Sequence, residues 1–215
     1  FFSAFVLLFS VVSLATALLI AARFYKNLFT DEGYLTWTLP ASPVQQLWAK
    51  ILSGCIWNIL DLILLYSATY FMWISPNVQN AYRMIAAEFT ASLGMPLSKF
   101  FLLMVLLSII GVGSNVLMLY ASISIGQLFP AHRLLLSVIV YFIFYMIIYA
   151  LSMGALIIFK LLPGIALSAN TVNEAASMST YLTGTFLISL VLSAVMAVIQ
   201  YVITHLILTR KLNLI

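Results

Sequence analysis

Apolar residues run almost unbroken through five stretches of this chain, and the polar positions gather between them. The stretches are Phe1 to about Ala22, about Leu47 to Ile74, about Ser98 to Leu128, about Leu134 to Phe159, and about Tyr181 to Leu208. A helix needs roughly 20 apolar residues to cross the hydrocarbon of a bilayer, and each stretch supplies them. Backbone groups in lipid must bond within their own segment, so the runs are expected to be helices. The sequence has no alternating segments of the kind a membrane barrel carries. The expected fold is an all-α integral membrane protein forming one transmembrane domain over 1–215. With interfacial turns included, the helices span about 1–29, 43–74, 98–128, 134–159 and 181–208.

The polar connections have patterns of their own. Val78, Tyr82, Ile85 and Phe89 recur at helical spacing, while Asn80, Arg83, Ala87 and Glu88 point elsewhere. Gly94 and Pro96 then give a stop signal. The segment of about 78–93 reads as a helix lying on the outer interface, or as an ordered loop. Thr171 and Glu174 have capping-box spacing, so a short helical turn is expected before the last span.

The stretch Arg23–Lys50 is the most structured connection. Phe24, Tyr25, Leu28 and Phe29 share one helical face, so the first helix is expected to run past the bilayer. Thr30-Asp31-Glu32 is a helix-start pattern, a capping threonine followed by acids at the positive dipole end. Leu35, Trp37 and Leu39 alternate with Thr36 and Thr38, so an extended strip competes with a short helix here. Ser42-Pro43-Val44-Gln45 is a capping box with proline at the first helical position. A helix from Pro43 to Ile74 would be about 48 Å long at 1.5 Å per residue, against roughly 30 Å of hydrocarbon. It is expected to project from the membrane or tilt strongly. The plainer alternative is interfacial re-entry with Trp37 and Trp48 as belt residues.

Composition agrees with the pattern. Hydrophobic residues are 65% of 215 and charged residues 7%, with mean hydropathy +1.18. A soluble domain has about a quarter charged residues. The net charge of +4 comes from cations scattered at helix ends, which suits membrane topology rather than nucleic acid. Arg23, Lys26, Lys50, Arg133, Arg210 and Lys211 fall on one side, with His132 nearby, and Arg83, Lys99 and Lys160 on the other. That bias puts the first side, with the C-terminus, in the cytoplasm. The first visible helix then starts outside, so one further helix is expected before Phe1, making six in the intact chain. A signal peptide is the weaker reading of the first run: Ala15 and Ala17 have the spacing, but no basic segment precedes them.

Candidate chemistry is sparse. Cys55 is alone, so neither a disulfide framework nor a thiolate metal site is expected. Gln200, Thr204 and His205 lie towards the inner end of the last span, and His205 lacks ligand-spaced partners for a metal. Asp61 sits near the middle of the second span with Asn58 one turn earlier. A carboxylate there should face the bundle or a wet cavity, as part of a substrate path, a proton-coupled acid or a helix lock. Asn115 follows Gly111 and Gly113, where close helix packing is expected, and a place on a substrate path, with Asn58 and Asp61, is the alternative. Tyr141, Tyr145 and Tyr149 form an i, i+4, i+8 stripe that reads as a substrate path or a packing seam. Ser189, Ser193 and Ala197 make a small-residue face suited to helix contact or dimerisation.

The run Phe29–Pro40 (FTDEGYLTWTLP), followed by Lys50-Ile51-Leu52-Ser53-Gly54, resembles permease subunits of bacterial ATP-binding-cassette exporters of the second type. Tyr120–Leu128 before His132-Arg133, and Asn213-Leu214 near Arg210-Lys211, are similar to stretches in the same family. The resemblance covers most of the chain. It implies a bacterial cytoplasmic-membrane permease, multi-pass, whose elbow over 30–42 seats in a groove of an ATP-binding subunit. The residues at that contact would be Thr30, Asp31, Glu32, Gly33, Tyr34, Leu35 and Trp37, with Trp37 where the family often has Phe. It also implies a second permease copy or paralogue, and lipid around the bundle. ATP and Mg would belong to the partner subunit, since this chain has no GxxxxGKS or GxxxxGKT run. The chain itself would be no enzyme and would hold no cofactor. An ion-coupled carrier using Asp61 is the alternative, although no internal repeat supports it. An intramembrane enzyme lacks any Ser/His or paired-Asp constellation. A membrane scaffold or sensor stays open.

Overall fold

The structure is a computed structural model that describes residues 2–30, 32–33, 38, 40–159 and 174–210. Six long helices form among them: α1 (Phe2–Phe29), α2 (Pro43–Ile74), α3 (Pro76–Leu93), α4 (Leu97–Gly126), α5 (Arg133–Ile158) and α6 (Glu174–Arg210). No strand occurs among the described residues. All but α3 are long and apolar enough to cross a membrane. Their outward faces carry large apolar side chains such as Leu18, Ile63, Phe142 and Val198, as a lipid-facing surface requires. The chain is an all-α membrane protein.

Helix α4 is the centre of the bundle and touches α1, α2, α5 and α6. Ser114 Oγ on α4 donates to the Ser193 carbonyl on α6 at 2.8 Å, and Phe100 meets Phe186 edge-on further towards their N-terminal ends. These two helices therefore run parallel. At the opposite end, Ile20, Phe24 and Leu28 of α1 pack with Leu47 and Ile51 of α2, Val116 and Tyr120 of α4, and Leu208 of α6. The Phe24 and Tyr120 rings stack at 3.8 Å and 9°.

Two glycines set the closest approaches. A Cβ on Gly54 would lie 2.8 Å from Val116 Cγ1 and 2.9 Å from Tyr120 Oη, so α2 and α4 touch there. A Cβ on Gly126 would collide with Ser137 Oγ and lie 2.8 Å from the Arg133 carbonyl, which lets α5 turn tightly off α4. Gly111 and Gly113 behave otherwise: nothing lies within 4 Å of a Cβ built on either. Among the described residues of this chain, that part of α4 turns its glycines away from its neighbours.

Helix α3 starts one residue after the Ser75 cap with Pro76 at its first position, and ends at Gly94 in the left-handed region (φ 66°). A left-handed C-cap is where glycine costs least. The helix reading of about 78–93 holds, with a start two residues earlier. The buried face differs from the expected one. Tyr82 and Phe89 are half-buried, but Gln79 and Ala86 join them while Val78 and Ile85 are exposed. Docking on α2 and α6, with Trp73 meeting Tyr82 at 5.0 Å, turns the helix and leaves two aliphatics outward. The last helix begins at Glu174, earlier than Tyr181. The Thr171 cap, Lys160, Lys211 and the Asn213-Leu214 ending lie outside the described residues.

Candidate functional site

The end of the bundle where α1 meets α2 has the most built geometry. The Ser42 hydroxyl accepts from the Gln45 amide at 3.3 Å, and the Gln45 side chain accepts from the Ser42 amide at 3.0 Å. This reciprocal box, with Pro43 at the first position, starts α2 where the sequence pattern puts it. Behind it Gln46 and Leu47 are buried, and the Gln46 side-chain Nε2 donates to the Ala41 carbonyl at 3.4 Å.

The α1 side of the elbow is closed by Thr30. Its hydroxyl donates back to the Lys26 carbonyl at 2.6 Å, so it finishes α1. The Gly33 amide then donates to the Thr30 carbonyl at 2.7 Å, and Glu32 and Gly33 are helical. Gly33 is buried, and a Cβ on it would lie 2.8 Å from both the carbonyl carbon and oxygen of Leu28. The chain thus folds back onto the end of α1 at a contact that only glycine permits. Lys26 Nζ pairs with Glu32 Oε1 at 3.4 Å, with both side chains exposed. An exposed pair of this kind adds little stability. Thr38 and Pro40 are exposed. Asp31, Tyr34, Leu35 and Trp37 lie outside the described residues.

Asp61 is half-buried, and its Oδ1 accepts from Thr16 Oγ1 of α1 at 3.1 Å. The bond joins α1 to α2 within the spans. Asn58 does not share it: its amide donates to the Gly54 carbonyl of its own helix at 3.2 Å. Asn115 is half-buried on α4. The tyrosine stripe divides, with Tyr141 half-buried and Tyr145 and Tyr149 exposed. Tyr141 lines a large apolar groove between α1 and α5, floored by Leu119 and Ile123 of α4 and walled by Ala17, Ala21 and Phe142. Ser189, Ser193 and Ala197 are half-buried on α6, and Ser193 meets α4 through its carbonyl.

Sequence reasoning undervalued a set of buried polar groups towards the elbow end of α4 and α6. Gln200, Thr204 and Ser124 are fully buried. Thr204 donates to the Gln200 carbonyl at 2.8 Å. The Gln200 side-chain amide and the Ser124 hydroxyl meet no partner among the described residues. The signal was the i, i+4 polar pair in an otherwise apolar run. No group of three metal-ligating side chains occurs among the described residues.

Against known proteins, no family profile, no curated sequence and no solved structure matches this chain.

Proposed function

We propose that this chain is the membrane permease subunit of an ATP-driven exporter of the second ATP-binding-cassette type. The observation that carries the reading is the braced elbow between α1 and α2. A turn that merely reverses the chain needs neither a glycine seated on helix backbone nor a complete capping box. An element that receives force from a partner needs both ends anchored. Here one end rests on Leu28 through Gly33, and the other is the capped start of a 32-residue helix.

The same geometry supplies a path for motion. Phe24, Leu28, Leu47 and Tyr120 are each almost fully buried, and Tyr120 donates to the Lys50 carbonyl at 2.8 Å. Packed interiors transmit displacement because they resist compression. In this reading a separate subunit binds ATP and Mg, closes, and pushes on Thr30–Pro40. The shift passes through α1 and the long α2 into the bundle and moves its interface with a second copy or a paralogue. The membrane is the bacterial cytoplasmic membrane, with the elbow and the C-terminus in the cytoplasm. The apolar groove beside Tyr141 suits an amphipathic or lipid-like cargo.

The test is purification with a candidate ATP-binding-cassette ATPase, comparing wild type with a Glu32→Arg/Tyr34→Ala variant. Co-elution and stimulated ATPase activity, both lost in the variant, are expected. No association, or association indifferent to the variant, would set the reading aside and favour an ion-coupled carrier built around Asp61.

A further inference from the structure

We propose that a cleft beside the elbow, between α1, α2 and α4, binds a phosphate group at the membrane surface. Arg23 and Asn27 of α1 line it with Lys50, Ser53 and Trp57 of α2 and Tyr120 of α4. Its volume is about 110 Å³. A single water needs roughly 10–15 Å³ on this measure, so the cleft has room for a phosphate and a few waters.

The lining is rich in donors and holds two cations. Among the described residues, none that lines it is a carboxylate. Glu32 is directed to Lys26, and Asp61 to Thr16. Two like charges on one partly enclosed cleft repel more strongly than in water, unless an anion joins them. The Arg23 guanidinium lies over the Trp57 ring, 5.4 Å from its centre. A cation–π contact of this kind restrains the group beside the cleft, and a guanidinium fork grips phosphate oxygens in pairs. Lys50 is half-buried, and the Tyr120 bond to its carbonyl fixes the backbone from which its ammonium reaches.

Position favours a headgroup. The cleft lies at the elbow end of the spans, and Leu19 beside it is exposed, a wall against which acyl chains can lie. Basic pockets between transmembrane helices near the cytoplasmic face take anionic headgroups. The phosphate of an anionic phospholipid and free phosphate share the recognised chemistry. The site rests on its own geometry and does not depend on the exporter reading.

The experiment is native mass spectrometry of the detergent-purified chain titrated with phosphatidylglycerol, with diacylglycerol of the same chains, and with inorganic phosphate. Phosphatidylglycerol should bind in clear preference to diacylglycerol. Arg23→Gln/Lys50→Gln should weaken it at least about tenfold, and Lys99→Gln, a cation at the other end, less than about twofold. If the double variant does not fold, Arg23→Gln and Lys50→Gln singly should each weaken binding about threefold. Competition by millimolar inorganic phosphate supports the site with a soluble source, and lack of competition supports it with a lipid source. Binding unchanged in the Arg23 and Lys50 variants, equal loss in Lys99→Gln, or no preference over diacylglycerol would overturn the proposal.

Discussion

The same substitution at two glycines should have opposite effects. Gly111→Ala places its methyl group where nothing lies within 4 Å. Alanine is favoured over glycine by about 1 kcal/mol in a helix interior, so this variant should be neutral or stabilised by up to that amount. Gly54→Ala gains the same propensity but sets its Cβ 2.8 Å from Val116 Cγ1 and 2.9 Å from Tyr120 Oη. Val116 is fully enclosed and cannot step aside. Tyr120 can retreat only by giving up its bond to the Lys50 carbonyl and its stack on Phe24. Overpacking costs about 1–3 kcal/mol, and the lost hydrogen bond about 0.5–1.5 kcal/mol. After the propensity gain, a net loss of about 0.5–3.5 kcal/mol is expected. Unfolding in mixed micelles, followed by tryptophan fluorescence, measures both variants. Val116→Ala should rescue part of the Gly54→Ala loss, seen as a coupling energy in a double-mutant cycle. Equal effects at Gly54 and Gly111, or strict additivity with Val116→Ala, would refute the α2–α4 contact.

Further expectations follow from the other contacts. Asp61→Asn keeps an acceptor for Thr16 and should leave folding unchanged, whereas Asp61→Leu should lose about 0.6 kcal/mol, the average of interhelical bonds in membranes; micelle unfolding distinguishes them. Gly33→Ala has backbone in its way at 2.8 Å, so the elbow should lift from α1 and limited proteolysis should cut between 30 and 42 faster than in wild type. Ser42→Ala removes one half of the capping box and should cost about 1 kcal/mol in the same unfolding assay. Gln200→Met replaces a buried amide that meets no partner among the described residues and should raise the melting temperature; a fall would reveal a partner for the amide.

The helices were legible because each depends on its own residues. Apolar runs longer than a bilayer, a serine–proline–glutamine start and a glycine stop act over a few positions, and α2 begins where its capping box says. What the sequence hid depends on register between helices. Gly111 and Gly113 look like a packing motif, yet Gly54 and Gly126 make the close approaches, since only assembly decides which side of a helix meets a neighbour. The buried face of α3 turned for the same reason: aromatic docking by Tyr82 on Trp73 outweighed burial of Val78 and Ile85. Asn58 and Asp61 share a helical face but not a hydrogen bond: Thr16 from α1 meets Asp61, and the Asn58 amide turns to the Gly54 carbonyl of its own helix. Arg23 and Lys50 were read only as markers of sidedness, and it takes the α1–α2 contact to bring them to one cleft.

In the proposed exporter the elbow is the docking point for an ATP-binding subunit. The most direct measurement is site-specific photocross-linking in membranes containing both proteins, with the probe at Pro40, exposed on the elbow, or at Met84, exposed on α3. The account predicts an adduct with the ATP-binding subunit from position 40 and none from position 84. An adduct from position 84, or none from position 40 while the two proteins co-purify, would contradict it.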